Sequence, residues 1–439
     1  MLYIVAFIAV VLAVLWNFPR ADIPSHLLGH PGYSVRQIVP DEAGVIMRQV
    51  VRDMVEYPTN TNADMKTGFQ TAAEDIGETQ PIGPDGKCIN PVLIPNRKKD
   101  GCILPGRIDI GKHFILTGGP DAIRENVADM TTRLQSFGRY MTGDAMDKYP
   151  IFNQVFNSSQ FLDAAKKICP SDQQVLDPFQ FNFLIQIPGQ TVATHIDAPY
   201  FWGASRQSVP QWLLAAMVFS GLFEKLFVNQ VQVVSYLHTW QAEDVMKANN
   251  IKTVGGDFVV YGTADGHVST MSSSPLSGNL VDGSKSIHAA TVYRPDKKAP
   301  FIDKNNDVVL RYAGDEKWEL VDLTNDKHIA DYTSDDLRIS LVYRARCFET
   351  EEDKRLYKDF PAVPVNKILG IFKADLIKNH KKTEEELIAM TRLDLGMLVL
   401  NTYVKYPLPS VKEAIMPFNY CALPMVLPWT APLIKVLCP

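Results

Sequence analysis

From Phe179 to Ile187 the chain alternates: Phe179, Phe181, Phe183, Ile185 and Ile187 are apolar, and Gln180, Asn182 and Gln186 put polar groups between them. A period of two marks a strand with one buried face. Pro188-Gly189 ends it, and His195-Ile196-Asp197 follows. No other stretch constrains the fold as much, because a strand and a turn here place an imidazole and a carboxylate on the rim of a sheet, where both can reach one metal ion. The tripeptide alone is weak, since nine histidines and many aspartates produce such pairs by chance. Its setting after a strand and a turn raises its weight.

Two histidines and one carboxylate fill one face of an octahedral Fe(II) and leave three positions open. The third ligand must come from elsewhere in the chain. His288 is favoured, because Asn279 to Arg294 reads as a turn and a short strand that presents one imidazole beside the small Ala289 and Ala290. His238, beside Trp240, and His267, in a Gly-flanked turn, come next; His26, His30, His113, His328 and His380 also compete. A lone histidine is more often structural than a ligand, so His288 draws its weight from the dyad.

Asp336 to Phe348 alternates again, with Leu337, Ile339, Leu341, Tyr343, Ala345 and Cys347 set against Arg338, Ser340, Arg344 and Arg346. Arg338 and Ser340 share a strand face. A guanidinium fork with a hydroxyl suits a carboxylate. Arg344 and Arg346 read as a solvated basic face on an edge strand, a reading that fits the Arg338 and Ser340 pair less well.

The order His-x-Asp, distal His, Arg-x-Ser resembles the Fe(II)/2-oxoglutarate-dependent dioxygenase superfamily, and Phe183-Leu184-Ile185-Gln186-Ile187-Pro188-Gly189-Gln190 is similar to the strand and turn before the dyad there. The resemblance covers residues 179 to 348. It implies an α+β fold with a double-stranded β-helix (jelly-roll, cupin-like) core buttressed by helices. It also implies that His195, Asp197 and His288 are the catalytic Fe(II) ligands and that Arg338 and Ser340 hold the distal carboxylate of 2-oxoglutarate, with O2 as the other co-substrate. The related halogenases carry a small residue at the carboxylate position, so Asp197 implies hydroxylation or another oxidation. The implied reaction oxidises a C–H bond of a small metabolite, lipid or protein side chain and forms succinate and CO2. Asp197 and His288 lie 91 positions apart, and His288 and Arg338 lie 50 apart. Both spans exceed those of compact members, so each holds an insertion. Two other readings remain: a cupin-type metalloenzyme that does not use 2-oxoglutarate, and a non-catalytic membrane-tethered binding module.

Within the insertions, Trp212 to Phe219, Gln230 to Leu237 and Gly255 to Tyr261 supply enough apolar chain for the middle strands of the β-helix and a lid. Lys317 to Leu323 suggests an added hairpin. Tyr200, Phe201 and Trp202 line a substrate pocket or belong to the core, with the core favoured. Long loops at a site's mouth usually decide substrate choice.

Met1 to Trp16 is apolar and uncharged and precedes Asn17-Phe18-Pro19-Arg20, which predicts an uncleaved signal anchor over residues 1–18 and a single-pass endomembrane protein. Residues 19–150 then read as a helical and loop region, 151–350 as the β-helix core and 351–439 as a C-terminal helical extension. Helical patterns cover 36–58, 121–140 with Pro120 at the first position, Ser159 to Ile168 and Thr383 to Met390. From Pro417 the chain is apolar, but Pro424, Pro428 and Pro432 forbid a regular spanning helix; packing on the body is favoured over a membrane interface. A lumenal body would let the six cysteines pair and make Asn157-Ser158-Ser159 a glycosylation acceptor. Cys88 and Cys102 bracket a Pro- and Gly-rich loop that a disulfide would restrain; Cys169, Cys347, Cys421 and Cys438 are the others. A net charge of −5 gives no reason to expect nucleic acid.

Overall fold

The Arg338–Phe348 strand lies at the centre of the molecule. In the computed structural model, which describes residues 23–59, 80–84, 88, 93–96, 100–141, 143–263, 267–303, 306–408 and 418–438, it pairs with Gln230–Tyr236 on one side and Val175–Gln186 on the other. Gly278–Val281 and Gly32–Val35 extend this antiparallel sheet at one edge and Phe137–Tyr140 at the opposite edge, giving six strands. A second antiparallel sheet has the order Ser269–Met271, Phe258–Val260, His288–Ala290, Val192–His195. The two sheets meet through Val234, Tyr236, Val281 and Val342 from the first and Phe258, Val260 and Met271 from the second.

The odd residues of the central strand, Ile339, Leu341, Tyr343 and Ala345, point away from the second sheet and pack under a helical layer. That layer consists of Asp41–Asp53, Ile151–Phe156 and Ser159–Lys166, which bury Met47, Val51, Phe152, Phe156 and Phe161. The outer face of the smaller sheet, with Val259, Ile287 and Ala289, is covered by Gln211–Ser220 and the C-terminal helices Val365–Asn379 and Arg392–Tyr403. With helices on both outer faces, the polar positions of the central strand lie between two sheets and not in water. Arg338 and Ser340 are buried. The solvated edge strand expected for Arg344 and Arg346 is therefore corrected: the strand is central, and both arginines make ion pairs, Arg344 with Asp197 and Arg346 with Asp177.

Several expected elements change type or length. Trp212 to Phe219 is no middle strand; it lies in the Gln211–Ser220 helix, whose residues Trp212 to Phe219 are all buried. The 36–58 pattern divides into the Asp41–Asp53 helix and the Glu56–Pro58 strand. The 121–140 pattern reduces to Val127–Arg133, capped by Asn126, followed by the Phe137–Tyr140 strand. The expected hairpin is a three-stranded meander, Val308–Gly314, Lys317–Asp322 and Lys327–Thr333, joined by Glu56–Pro58. The 159 and 383 helices form where expected, each capped by the preceding hydroxyl side chain, Ser158 and Thr383. All six cysteines pair, as Cys88–Cys102, Cys169–Cys347 and Cys421–Cys438.

The segment from 418 to 438 forms short helices that bury Ala422 and Ile434 but leave Trp429, Leu433 and Val436 in solvent, so its expected packing is partial. No helix among the described residues is long and apolar enough to cross a membrane. The anchor expected over residues 1–18 lies outside the described residues.

Candidate metal centre

His195 ends its strand directly opposite His288 in the antiparallel pairing, and the two ring centroids are 4.2 Å apart. Cross-strand neighbours are the closest side-chain pairs a sheet offers, so the ladder register brings together imidazoles 93 positions apart in the chain. His195 Nδ1 donates to the Ala193 carbonyl at 2.7 Å, and His288 Nδ1 donates to the Ser286 carbonyl at 2.8 Å. These bonds assign the Nδ1–H tautomer to both rings and leave both Nε2 atoms unprotonated. Each faces Asp197, whose Oδ1 is 3.5 Å from His195 Nε2 and 3.9 Å from His288 Nε2. The three residues offer ligand atoms within 4.8 Å of one another, and among the described residues no other group of three such side chains does so.

Asp197 is held by its backbone, whose N–H donates to the Gly283 carbonyl at 2.7 Å. Burial opposes its ionisation, but the Arg344 guanidinium and the two imidazoles hold the carboxyl well below the usual carboxylate range. Burial, with His195 beside it, pulls His288 down to about 3, so that ring is neutral near pH 7. An ionised carboxylate and a neutral imidazole are the protonation states that metal ligation requires.

Arg344 donates to Asp197 Oδ1, to Gln232 Oε1 at 2.6 Å and to Gln180 Oε1 at 3.4 Å. The Gln232 amide nitrogen lies 3.3 Å from His288 Nε2, on the lone pair a cation would take. Asp197 Oδ2, in contrast, is buried without a hydrogen-bond partner. A buried, unpartnered carboxylate oxygen beside two imidazole lone pairs calls for a cation. The donor set, two nitrogens and one oxygen, fits Fe(II).

A cavity of about 70 Å³ joins this cluster to the predicted anchor; His195, His288 and Arg344 line it together with Arg338 and Ser340, between apolar walls that include Val234 and Phe258. Arg338 is buried, donates from Nη1 to Gln186 Oε1 at 2.6 Å and to Ser340 Oγ at 3.2 Å, and lies 4.9 Å over the Tyr236 ring. Its Nε has no partner, and among the described residues no carboxylate comes within ion-pair distance of it. A buried cation with only neutral acceptors is costly, and a ligand carboxylate would relieve it. The approach of Gly256 is equally close: with φ at +74°, a Cβ there would stand 2.7 Å from Arg338 Cδ.

Solved structures similar to this chain are 2-oxoglutarate and Fe(II) oxygenases. A Pseudomonas putida prolyl-4-hydroxylase shares 12% identity over 72% of this chain and 92% of its own, at a TM-score of 0.28. An oxidoreductase of the 2OG-Fe(II) oxygenase family from Burkholderia pseudomallei shares 10% over 48% of this chain and 66% of its own, at 0.26. HygX from Streptomyces hygroscopicus, with nickel and 2-oxoglutarate bound, shares 7% over 73% and 82%, at 0.28. No family model and no curated protein matches the chain. Likeness at this level transfers no residue role, and the geometry of the cavity stands by itself.

Of the five residues singled out in the sequence, His195, His288, Arg338 and Ser340 line one cavity, and Asp197 lies beside the two imidazoles. The runner-up histidines do not: His238 is stacked on Trp240 at 3.8 Å, and His267 is exposed on its turn. Tyr200 and Phe201 belong to the core, and Trp202 packs on Phe348, Tyr357 and Phe360. Sequence reasoning missed Arg344, Gln232, Gln186 and Gly283. The available signal was the even-numbered polar set of three strands, Gln180 and Gln186, Gln232, and Arg338 to Arg344, which shares one face once the strands pair.

Proposed function

We propose that the chain is an Fe(II)/2-oxoglutarate-dependent oxygenase that hydroxylates a C–H bond of a small metabolite, lipid or protein side chain, its two facing sheets forming a double-stranded β-helix. One observation carries this reading: His195 and His288, which cluster with Asp197, line a single cavity together with Arg338, a buried arginine without an ion pair among the described residues. In it His195, Asp197 and His288 hold the metal, and Arg338 with Ser340 binds the distal carboxylate of 2-oxoglutarate. Bound Fe(II), 2-oxoglutarate and O2 supply the oxidising power, with succinate and CO2 as co-products. The protein's part is to keep Asp197 ionised through Arg344, to fix both imidazole tautomers through backbone carbonyls, and to line the cavity with the apolar side chains of Val234 and Phe258.

We further propose that the body is lumenal and tethered by residues 1–18. Support comes from the uncharged apolar run and from the pairing of all six cysteines, which suits an oxidising compartment.

The test is Fe(II)-dependent succinate formation from 2-oxoglutarate by anaerobically purified protein. Turnover abolished in His195→Ala, Asp197→Ala and His288→Ala, with a raised KM for 2-oxoglutarate in Arg338→Ala, is the expected result. Turnover that persists in the ligand variants would refute the assignment. Metal-dependent activity indifferent to both 2-oxoglutarate and Arg338→Ala would instead identify the cupin-type enzyme.

A further inference from the structure

Asn157 closes the Ile151–Phe156 helix and is exposed. Two residues on, Ser159 opens the next helix and is exposed as well. Between them Ser158 is engaged: its hydroxyl donates to the Val155 carbonyl at 2.7 Å and accepts from the Phe161 N–H at 3.3 Å, capping the second helix. The local fold therefore leaves the asparagine amide and the hydroxyl two positions later in solvent and spends only the middle side chain on structure. Asn157-Ser158-Ser159 is the chain's single Asn-x-Ser/Thr sequence.

The surroundings tolerate a bulky addition. Both helices bury Phe152, Phe156 and Phe161 against Phe181, Phe183 and Tyr343, on the face of the larger sheet turned away from the cavity. A substituent on Asn157 would stand on the far side of the sheet from His195 and Arg338.

We propose that Asn157 carries an N-linked glycan, an inference that rests on the lumenal reading above. The donor is an oligosaccharide on a polyprenyl diphosphate. Asn157 Nδ2 bonds to the anomeric carbon of the first sugar, the diphosphate-linked polyprenol leaves with the bonding electron pair, and the amide nitrogen gives up one proton. The glycan covers the helical layer with hydrophilic mass and leaves the cavity open.

The experiment is expression of the full chain in a eukaryotic secretory host, with gel mobility before and after enzymatic removal of N-glycans and alkylation of free thiols before and after reduction. The expected result is thiols blocked until reduction and one glycan increment that Asn157→Gln and Ser159→Ala abolish. Ser158→Ala must keep the increment, because it removes the helix cap but preserves the acceptor sequence. Asn157→Gln should form succinate at the wild-type rate. Blocked thiols without an increment would overturn the glycan and leave the lumenal reading standing; free thiols without one would overturn both. An increment that survives Asn157→Gln would also overturn the proposal.

Discussion

Asp197 has two oxygens with different neighbours: Oδ1 meets the Arg344 guanidinium, and Oδ2 meets no partner. Arg344 thus fixes the carboxylate's rotation and its charge together. Groups that orient metal ligands are commonly worth about 10- to 100-fold in affinity, so Arg344→Ala is expected to weaken Mn(II) binding by roughly that factor in a calorimetric titration; an unchanged Kd would show that the arginine only fills space. Gly283 acts by absence. A Cβ there would stand 2.1 Å from Asp197 Oδ2, and the Gly283 carbonyl accepts the Asp197 N–H. Gly283→Ala should therefore abolish Mn(II) binding while the far-ultraviolet circular dichroism stays that of wild type, and retained binding would mean the carboxylate can turn away. The dyad and Arg338 were legible because residue type and spacing carry their chemistry. Arg344 was not, because alternation marks a polar face without saying whether water or a second sheet covers it.

Among the elements, the Gln211–Ser220 helix shows where periodicity stops informing. Trp212 to Phe219 is apolar at every position, and a run of that length does not distinguish a buried strand from a helix buried all round. The helix is covered on every side by the smaller sheet and the C-terminal helices. Leu214→Ala should accordingly cost about 2–5 kcal/mol of stability, read from the urea midpoint; a shift below about 1 kcal/mol would imply a loosely packed layer. Caps were easier to read. Ser158 and Thr383 begin helices through local hydrogen bonds that need no tertiary partner. The 121–140 pattern misled because its apolar spacing runs past Leu134 into a strand that Val175–Gln186 recruits by long-range pairing.

At the scale of the molecule, burial between layers sets the response to acid. Burial pulls His113 down to about 4 and His238 to about 3, whereas in the unfolded chain both titrate near 6.5. As pH falls below about 6.5 the unfolded chain takes up protons that the fold refuses, so stability falls toward pH 4 by up to about 1.4 kcal/mol per pH unit for each ring. A melting temperature that is constant from pH 7 to pH 4.5 would contradict this. The mixture of helices and strands was readable from their periods, but the four layers were not, since they depend on which sheet face meets which helix. Those layers create a cavity lined by His195 and His288 together with Arg338 and Ser340, and calorimetric titration of 2-oxoglutarate into the Mn(II)-loaded full chain tests the proposed role of that junction most directly. The expected result is one binding site that requires the metal, is lost in His195→Ala and is weakened at least about tenfold in Arg338→Ala, since a charge-assisted bond of about 1.5–3 kcal/mol is removed. Binding that is equally tight without metal, or unchanged by Arg338→Ala, would contradict it.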